Sequence, residues 1–135
     1  SELITKPAFV MTLQQSVSRY LYYLGKSVGA ETAQIWKTED AGKTWSWYAG
    51  SESKNLPQFL NTVKPEFNKV IRPDGKTVGI PLQDMAGRLT SVLVLTGPEM
   101  EKMGPEYLLL AGSYVSGALD APMQEQGGET GQKAA

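Results

Sequence analysis

Two of the side chains that most often do chemistry are missing: the 135 residues hold no histidine and no cysteine. Without cysteine there is no disulfide, thiol nucleophile or thiolate metal site. Without histidine the commonest general base and transition-metal ligand is gone. A Ser-His-Asp triad and a haem held by His or Cys are both excluded. The carboxylates do not fill the gap. Asp40 and Asp84 sit among turn residues, and no two carboxylates have the spacing of a glycosidase pair or a metal cage. What remains is recognition chemistry rather than an enzyme. Trp36, Tyr48, Phe59 and Phe67 could wall a pocket, with Arg72 pairing with a carboxylate, phosphate or nitrate-like anion. The plainer reading makes these aromatics a second small core under the loops, with Arg72 in solvent.

Charge adds little. Thirteen basic and 14 acidic side chains leave a net charge of −1. That balance gives no general reason to bind nucleic acid or a membrane surface. Lys64, Lys69, Arg72 and Lys76 cluster loosely, as a solvated helix face does. No apolar run approaches the ~20 residues of a membrane span, and no signal peptide is visible, so a cytoplasmic or other soluble compartment is expected. The chain opens at Ser1 and not at Met, as a piece with a targeting segment removed would.

The elements that must position these residues follow from periodicity. After the polar lead Ser1 to Lys6, Pro7 can open a helix. Val10, Leu13, Val17, Leu21, Leu24 and Val28 recur at helical steps, and Gly29 suits its C-terminal stop. Tyr20, Tyr22 and Tyr23 cannot all point one way, so at least one belongs at a domain rim or a dimer contact. Thr32 to Thr38 reads as a strand, with Ala33 and Ile35 on one face and Gln34 and Trp36 on the other. Thr44 to Ala49 is its hairpin partner, with Trp45 and Trp47 opposite Ser46 and Tyr48.

The intervening T-E-D-A-G-K-T-W, residues 38–45, resembles the Asp-box hairpin of sialidase-type propellers. In such a turn Asp40 accepts backbone N–H groups, Gly42 takes the strained dihedral and Trp45 folds over the hairpin. A propeller repeats the unit in every blade. One copy stands here, so a stabilised turn is expected and not a glycosidase.

Asn55 can cap a helix from near Pro57 carrying Leu56, Phe59, Leu60 and Val63. Pro65 interrupts it, and a short helical turn is expected over Phe67, Val70 and Ile71. Arg72-Pro73-Asp74-Gly75 reads as a turn. Val78, Ile80 and Leu82 then share one face of a strand, Gln83 to Gly87 turns, and Arg88 to Thr96 is a strand apolar on both faces. Gly97-Pro98 stops it. A last helix runs from Pro105 to about Ala121, with Gly112, Ser113, Ser116 and Gly117 among its apolar residues. Glycine inside a helix costs about 1 kcal/mol relative to alanine, which close approach of another backbone would offset. That neighbour is the sheet, the first helix or a partner helix. Residues 122–135 have no apolar period and read as a disordered tail or linker.

The order predicts one α+β domain over residues 1–121, an antiparallel sheet with the N- and C-terminal helices on one face. Residues 76–121, with "GIPLQDMAGRLTSVLVLTGPEMEKMGPEYLLLAGSYVSGALDA" at 79–121, resemble the C-terminal half of a GAF domain, a profilin-like fold. "YLGKSVGAETAQIWKTED", about residues 20–40, resembles that family's first helix and strand. The element order also resembles roadblock/longin-like scaffold domains.

The GAF resemblance implies ligands such as cyclic nucleotides, bilins, haem or small anions, or dimerisation alone. A covalent bilin needs a cysteine. Asn68-Lys69 echoes a cyclic-nucleotide signature, but no phenylalanine or Asp-Glu pair follows it. Residues 51–75, which would build the pocket, are shorter than the family usually has. The expectation is a regulatory or sensory module that is no enzyme, a homodimer through Tyr20, Tyr22, Tyr23, Gly112 and Ser116, with a small ligand or a protein partner. The rival is a ligand-free interaction scaffold.

Overall fold

The computed structural model of the chain describes the backbone of residues 11–53 and 55–134, and the side chains of 11–53 and 55–119. The lead to Lys6, the Pro7 opening, Phe9 and Val10 lie outside the described residues. Helix α1 is Leu13–Val28. Thr12 caps it: its hydroxyl accepts from the Gln15 N–H, and the Gln15 side chain accepts from the Thr12 N–H. Gly29 ends it in the left-handed conformation at φ 76°, as its type predicts.

Five strands follow: β1 Thr32–Lys37, β2 Ser46–Gly50, β3 Ile71–Asp74, β4 Thr77–Gln83 and β5 Leu89–Thr96. They form one sheet in the order β2-β1-β5-β4-β3, antiparallel throughout. Helix α2, Pro105–Ala134, lies over β4 and beside α1, while α1 covers β1 and β2. The fold is therefore α+β with both long helices on one face, as expected.

The core has two layers. Under the helices, Val17, Leu21 and Val28 of α1 and Leu108 and Val115 of α2 meet Ile35, Ile80, Leu93 and Leu95 of the sheet. Val78, Ile80 and Leu82 all lie on this side. On the other side, Trp36, Val92 and Val94 are covered by Leu60 and Val63, with Trp45, Trp47, Phe59 and Phe67 at the margin. β5 is buried on both faces, which explains its unbroken aliphatic run.

Two expectations need correction. The segment read as a helix from Pro57 is a single 3₁₀ turn, Gln58–Thr62, and its N-cap is Pro57 and not Asn55. Seven residues separate Pro57 from Pro65, and the turn takes five of them. The stretch read as a helical turn and then the Arg72–Gly75 turn contains strand β3, and the tight turn comes at Asp74–Thr77. Pro73 is tolerated because an edge strand bonds on one side only. Gly112 faces the sheet, and Ser116 lies one turn on, beside β4. A Cβ on Gly112 would stand 2.7 Å from the Ile80 Cγ2, and Ser116 borders a groove over Ile80–Gln83. The close approach that offsets the helix glycine is to β4. The backbone of α2 spans Pro105–Ala134 and so continues past Ala121 and through Pro122. A proline removes one backbone donor and kinks a helix without having to end it, and Met123, Gln124, Glu125 and Gln126 are good helix formers.

The free edge of β2 is covered by α1. The Gln14 side-chain amide donates to the Tyr48 carbonyl, and the Gly50 N–H donates to Ser18 Oγ at 2.9 Å. These two polar side chains occupy groups that an exposed edge would offer to another strand.

Candidate functional site

The five residues expected to wall a pocket do not come together. Trp36 is buried on the face away from the helices, with Phe59 and Phe67 near it. Tyr48 lies on the opposite face, packed at the margin of the helix-side core. The reason is a β-bulge. Ile35 pairs with Ala49, but the next residue, Trp36, pairs with Trp47, so Tyr48 is extra. The Lys37 ammonium stands over its ring, 3.9 Å from the centroid. Arg72 is exposed, and its guanidinium donates to the carbonyls of Met100 (2.8 Å) and Met103. It fastens the end of the 3₁₀ turn Pro98–Lys102 to the edge of the sheet. These carbonyls already engage the group expected to hold an anion.

The aromatic face is filled by its own side chains. Leu60 is fully buried and Val63 nearly so. The Phe59 ring lies close against Gly79: a Cβ there would stand 2.6 Å from its Cε2. The Trp36 indole N–H donates to Gln34 Oε1 at 3.0 Å, and the Gln34 amide donates to the Ser51 carbonyl at 2.8 Å. The Trp47 indole N–H reaches the same carbonyl at 3.0 Å. This is the arrangement of a second core, with the Trp36 and Trp47 indoles paired and the buried Trp45 indole N–H without a partner among the described residues.

The Asp40 turn is built as its sequence predicts. Asp40 Oδ1 accepts from the Thr44 N–H and the Thr38 hydroxyl, both at 2.9 Å, and Oδ2 accepts from the Thr44 hydroxyl at 2.6 Å. Gly42 takes φ 94°. The bonds from Thr44, then that from Thr38, hold the Asp40 carboxyl down from an ordinary 3.8 to about 2. A carboxylate lowered in the folded state stabilises it above the ordinary value, and that contribution is lost as pH falls from about 4 through 2. Asp40→Ala should therefore lower the melting temperature at pH 7 and have a clearly smaller effect near pH 2. Melting curves at the two pH values check this, and equal losses at both would contradict it. The Asp84 turn is similar: Oδ1 accepts from the Ala86 and Arg88 N–H groups, and Oδ2 from Arg88 Nε. Both aspartates are structural.

The outer face of the helical layer is different. Tyr107, Leu110 and Tyr114 fall at positions i, i+3 and i+7 of α2 and are all exposed, Leu110 by 52% and Tyr114 by 60%. On α1, Tyr22 and Tyr23 are exposed and meet edge to face, with ring centroids 5.4 Å apart. Tyr20 lies between the helices, half-buried. Burial, and after it the neighbouring Tyr114 phenol, pushes its hydroxyl pKa up. Of the residues expected at a dimer contact, Tyr22 and Tyr23 are exposed, Tyr20 is half-buried between the helices, Gly112 is turned to the sheet and Ser116 borders the groove over β4. Sequence reading missed Leu110 and Tyr114. The i, i+3, i+7 spacing Tyr107-Leu110-Tyr114, next to the buried Leu108-Ala111-Val115 stripe, is the signal that could have found them.

Among the described residues no group of three or more carboxylates could hold a metal ion, and no helix is long and apolar enough to cross a membrane. No known protein family matches the chain, and no curated protein is similar to it.

Proposed function

We propose that the chain is a non-enzymatic interaction module, GAF-like or roadblock/longin-like in architecture, that assembles with a second copy of itself through the outer face of α1 and α2. The observation that carries this is the exposed row Tyr107, Leu110 and Tyr114 along α2, with Tyr22 and Tyr23 exposed on α1. Aromatic residues gathered on one face are what association surfaces use, because each buries a large area at little entropic cost. Of the two readings the sequence offers, the assembly one is favoured over a sensor with its ligand under the loops. The space where that ligand would sit is occupied by Leu60, Val63 and Phe59. The absence of His and Cys supports the non-enzymatic part.

The test is the association state. The wild-type chain should run as a dimer in light scattering at ~100 µM. Leu110→Glu with Tyr114→Glu should weaken association about 30-fold or more, the effect of losing a central aromatic anchor. The melting temperature should stay within a few degrees, because both side chains are exposed. A monomeric wild type, or a variant that still dimerises, would end this reading. A monomer that instead captures a defined protein through the same residues would move the proposal from self-assembly to a scaffold for another chain.

A further inference from the structure

A second feature lies on the helix side of the sheet, at the β2 edge. Here the outer side of α1 and the edge of β1 and β2 border a cleft of about 450 Å³. That size suits a small molecule. Small residues hollow it: Gly25 on the helix, Ala30 and Ala33 below, and Gly50 at the end of β2. None of these belongs to the filled aromatic face.

The polar groups around this cleft are oriented. Ser18 Oγ accepts the Gly50 N–H at 2.9 Å, and Ser51 Oγ accepts the Ala33 N–H at 3.3 Å. Each hydroxyl is thereby fixed as an acceptor toward the backbone and has its own proton left to donate. Among the described residues neither proton has a protein acceptor. Lys26 and Glu31 stand at the border of the cleft with opposite charge. Among the described residues the ion pair within 4 Å is Arg88–Asp84, so these two do not neutralise each other. The Tyr22 ring forms a wall, steadied by the Lys26 ammonium 5.0 Å from its centroid and by the edge of Tyr23. Two hydroxyl donors and an ammonium call for an acceptor-rich anionic group. A carboxylate beside them calls for a cation on the same molecule. A dianion would be repelled by Glu31, and a simple cation would leave the two hydroxyls and Lys26 unmatched.

We infer that this cleft binds a small zwitterion, of the chemical class of a free α-amino acid, with its carboxylate at Lys26 and the Ser18 and Ser51 hydroxyls and its ammonium at Glu31. The site shares Tyr22 with the assembly surface, but its readout is ligand binding and not association state, so the two readings fail separately.

The experiment is amide-resolved NMR titration of the full chain with L-phenylalanine, L-serine and L-glutamine, and with succinate and inorganic phosphate as controls. At least one amino acid should saturate below about 5 mM and shift the amides of Ser18, Lys26, Gly50 and Ser51. Lys26→Met and Glu31→Gln sit at exposed positions, so the fold should survive both. Each should weaken binding about tenfold, and the double variant should abolish it. A binding curve unchanged by either variant would overturn the assignment. So would shifts confined to other parts of the chain, or no saturation by any of the three amino acids at 10 mM. Succinate or phosphate binding as tightly as the amino acids, with Glu31→Gln leaving the amino acid affinity unchanged, would overturn the zwitterion class.

Discussion

Replacing Gly50 by alanine is expected to cost at least about 3 kcal/mol, among the larger effects any single methyl group can have in this chain. Two terms contribute. Gly50 sits at φ 97°, where an L side chain is strained by about 1–2 kcal/mol. The second term is steric: the added Cβ would stand 2.1 Å from the Ala33 carbonyl oxygen and 3.0 Å from Gln34 Cα. Those are backbone atoms of β1, which is held on its far side by the whole β1–β5 ladder from Thr32 to Lys37. They cannot retreat without breaking hydrogen bonds in the middle of the sheet. Gly87 separates the two terms. It sits at φ 82°, but a Cβ there meets nothing within 4 Å. Gly87→Ala should cost only the dihedral strain, about 1 kcal/mol. Urea melts of the two variants under one set of conditions measure the difference. The melting temperature of Gly50→Ala should fall by about 10 °C or more. Equal losses for the two variants would mean that β1 and β2 part easily, and that the bulge at Tyr48 is not held by this contact.

That contact also shows where reading the sequence reaches its limit. The period of α1, its Gly29 stop, the single face of Val78, Ile80 and Leu82, and the double burial of β5 are local properties. Each is set by neighbours within one element, so each is legible. The Asp40 turn is legible for the same reason, since donors and acceptor lie within seven residues. The bulge is not. It is a matter of how β1 and β2 align across the sheet, and it decides which face Tyr48 takes. Period two relates positions along one strand and says nothing about the face of the next. Trp36 and Tyr48 could therefore be placed in one pocket on paper and stand on opposite sides in the fold. β3 was hidden by Pro73, whose turn preference is strong and whose missing N–H does no harm at an edge. Gly112 was recognised as a point of close approach, but its neighbour, Ile80, is more than 30 positions away. The cleft residues gave the faintest signal. Gly25 near a helix end, followed by Ala30 and Ala33, marks a place where the chain stays thin. The hydroxyls of Ser18 and Ser51 become informative only when their backbone donors are known.

The fate of Trp36 decides between a second core and a ligand wall. The side chain is 4% exposed and packs with Leu60, Val63, Val92 and Val94. Trp36→Ala would remove most of a large side chain from a closed cluster and leave Gln34 Oε1 without the indole N–H. A cavity of that kind costs about 3–5 kcal/mol. Trp36→Phe keeps much of the volume and loses the hydrogen bond, for about 1–2 kcal/mol. The ordering Ala well below Phe, and Phe below wild type, is the signature of packing with a paired polar atom. A wall residue facing an open pocket would behave otherwise: its truncation would cost under about 1 kcal/mol, because water would replace the ring at little expense. Chemical denaturation of both variants gives the two free energies directly. If Trp36→Ala proves nearly neutral, the aromatic face is open in solution, and a ligand beneath the loops returns as the stronger reading. If the loss is several kcal/mol, Trp36 belongs to the core. Recognition by this domain then falls to the helical layer and to the cleft along α1.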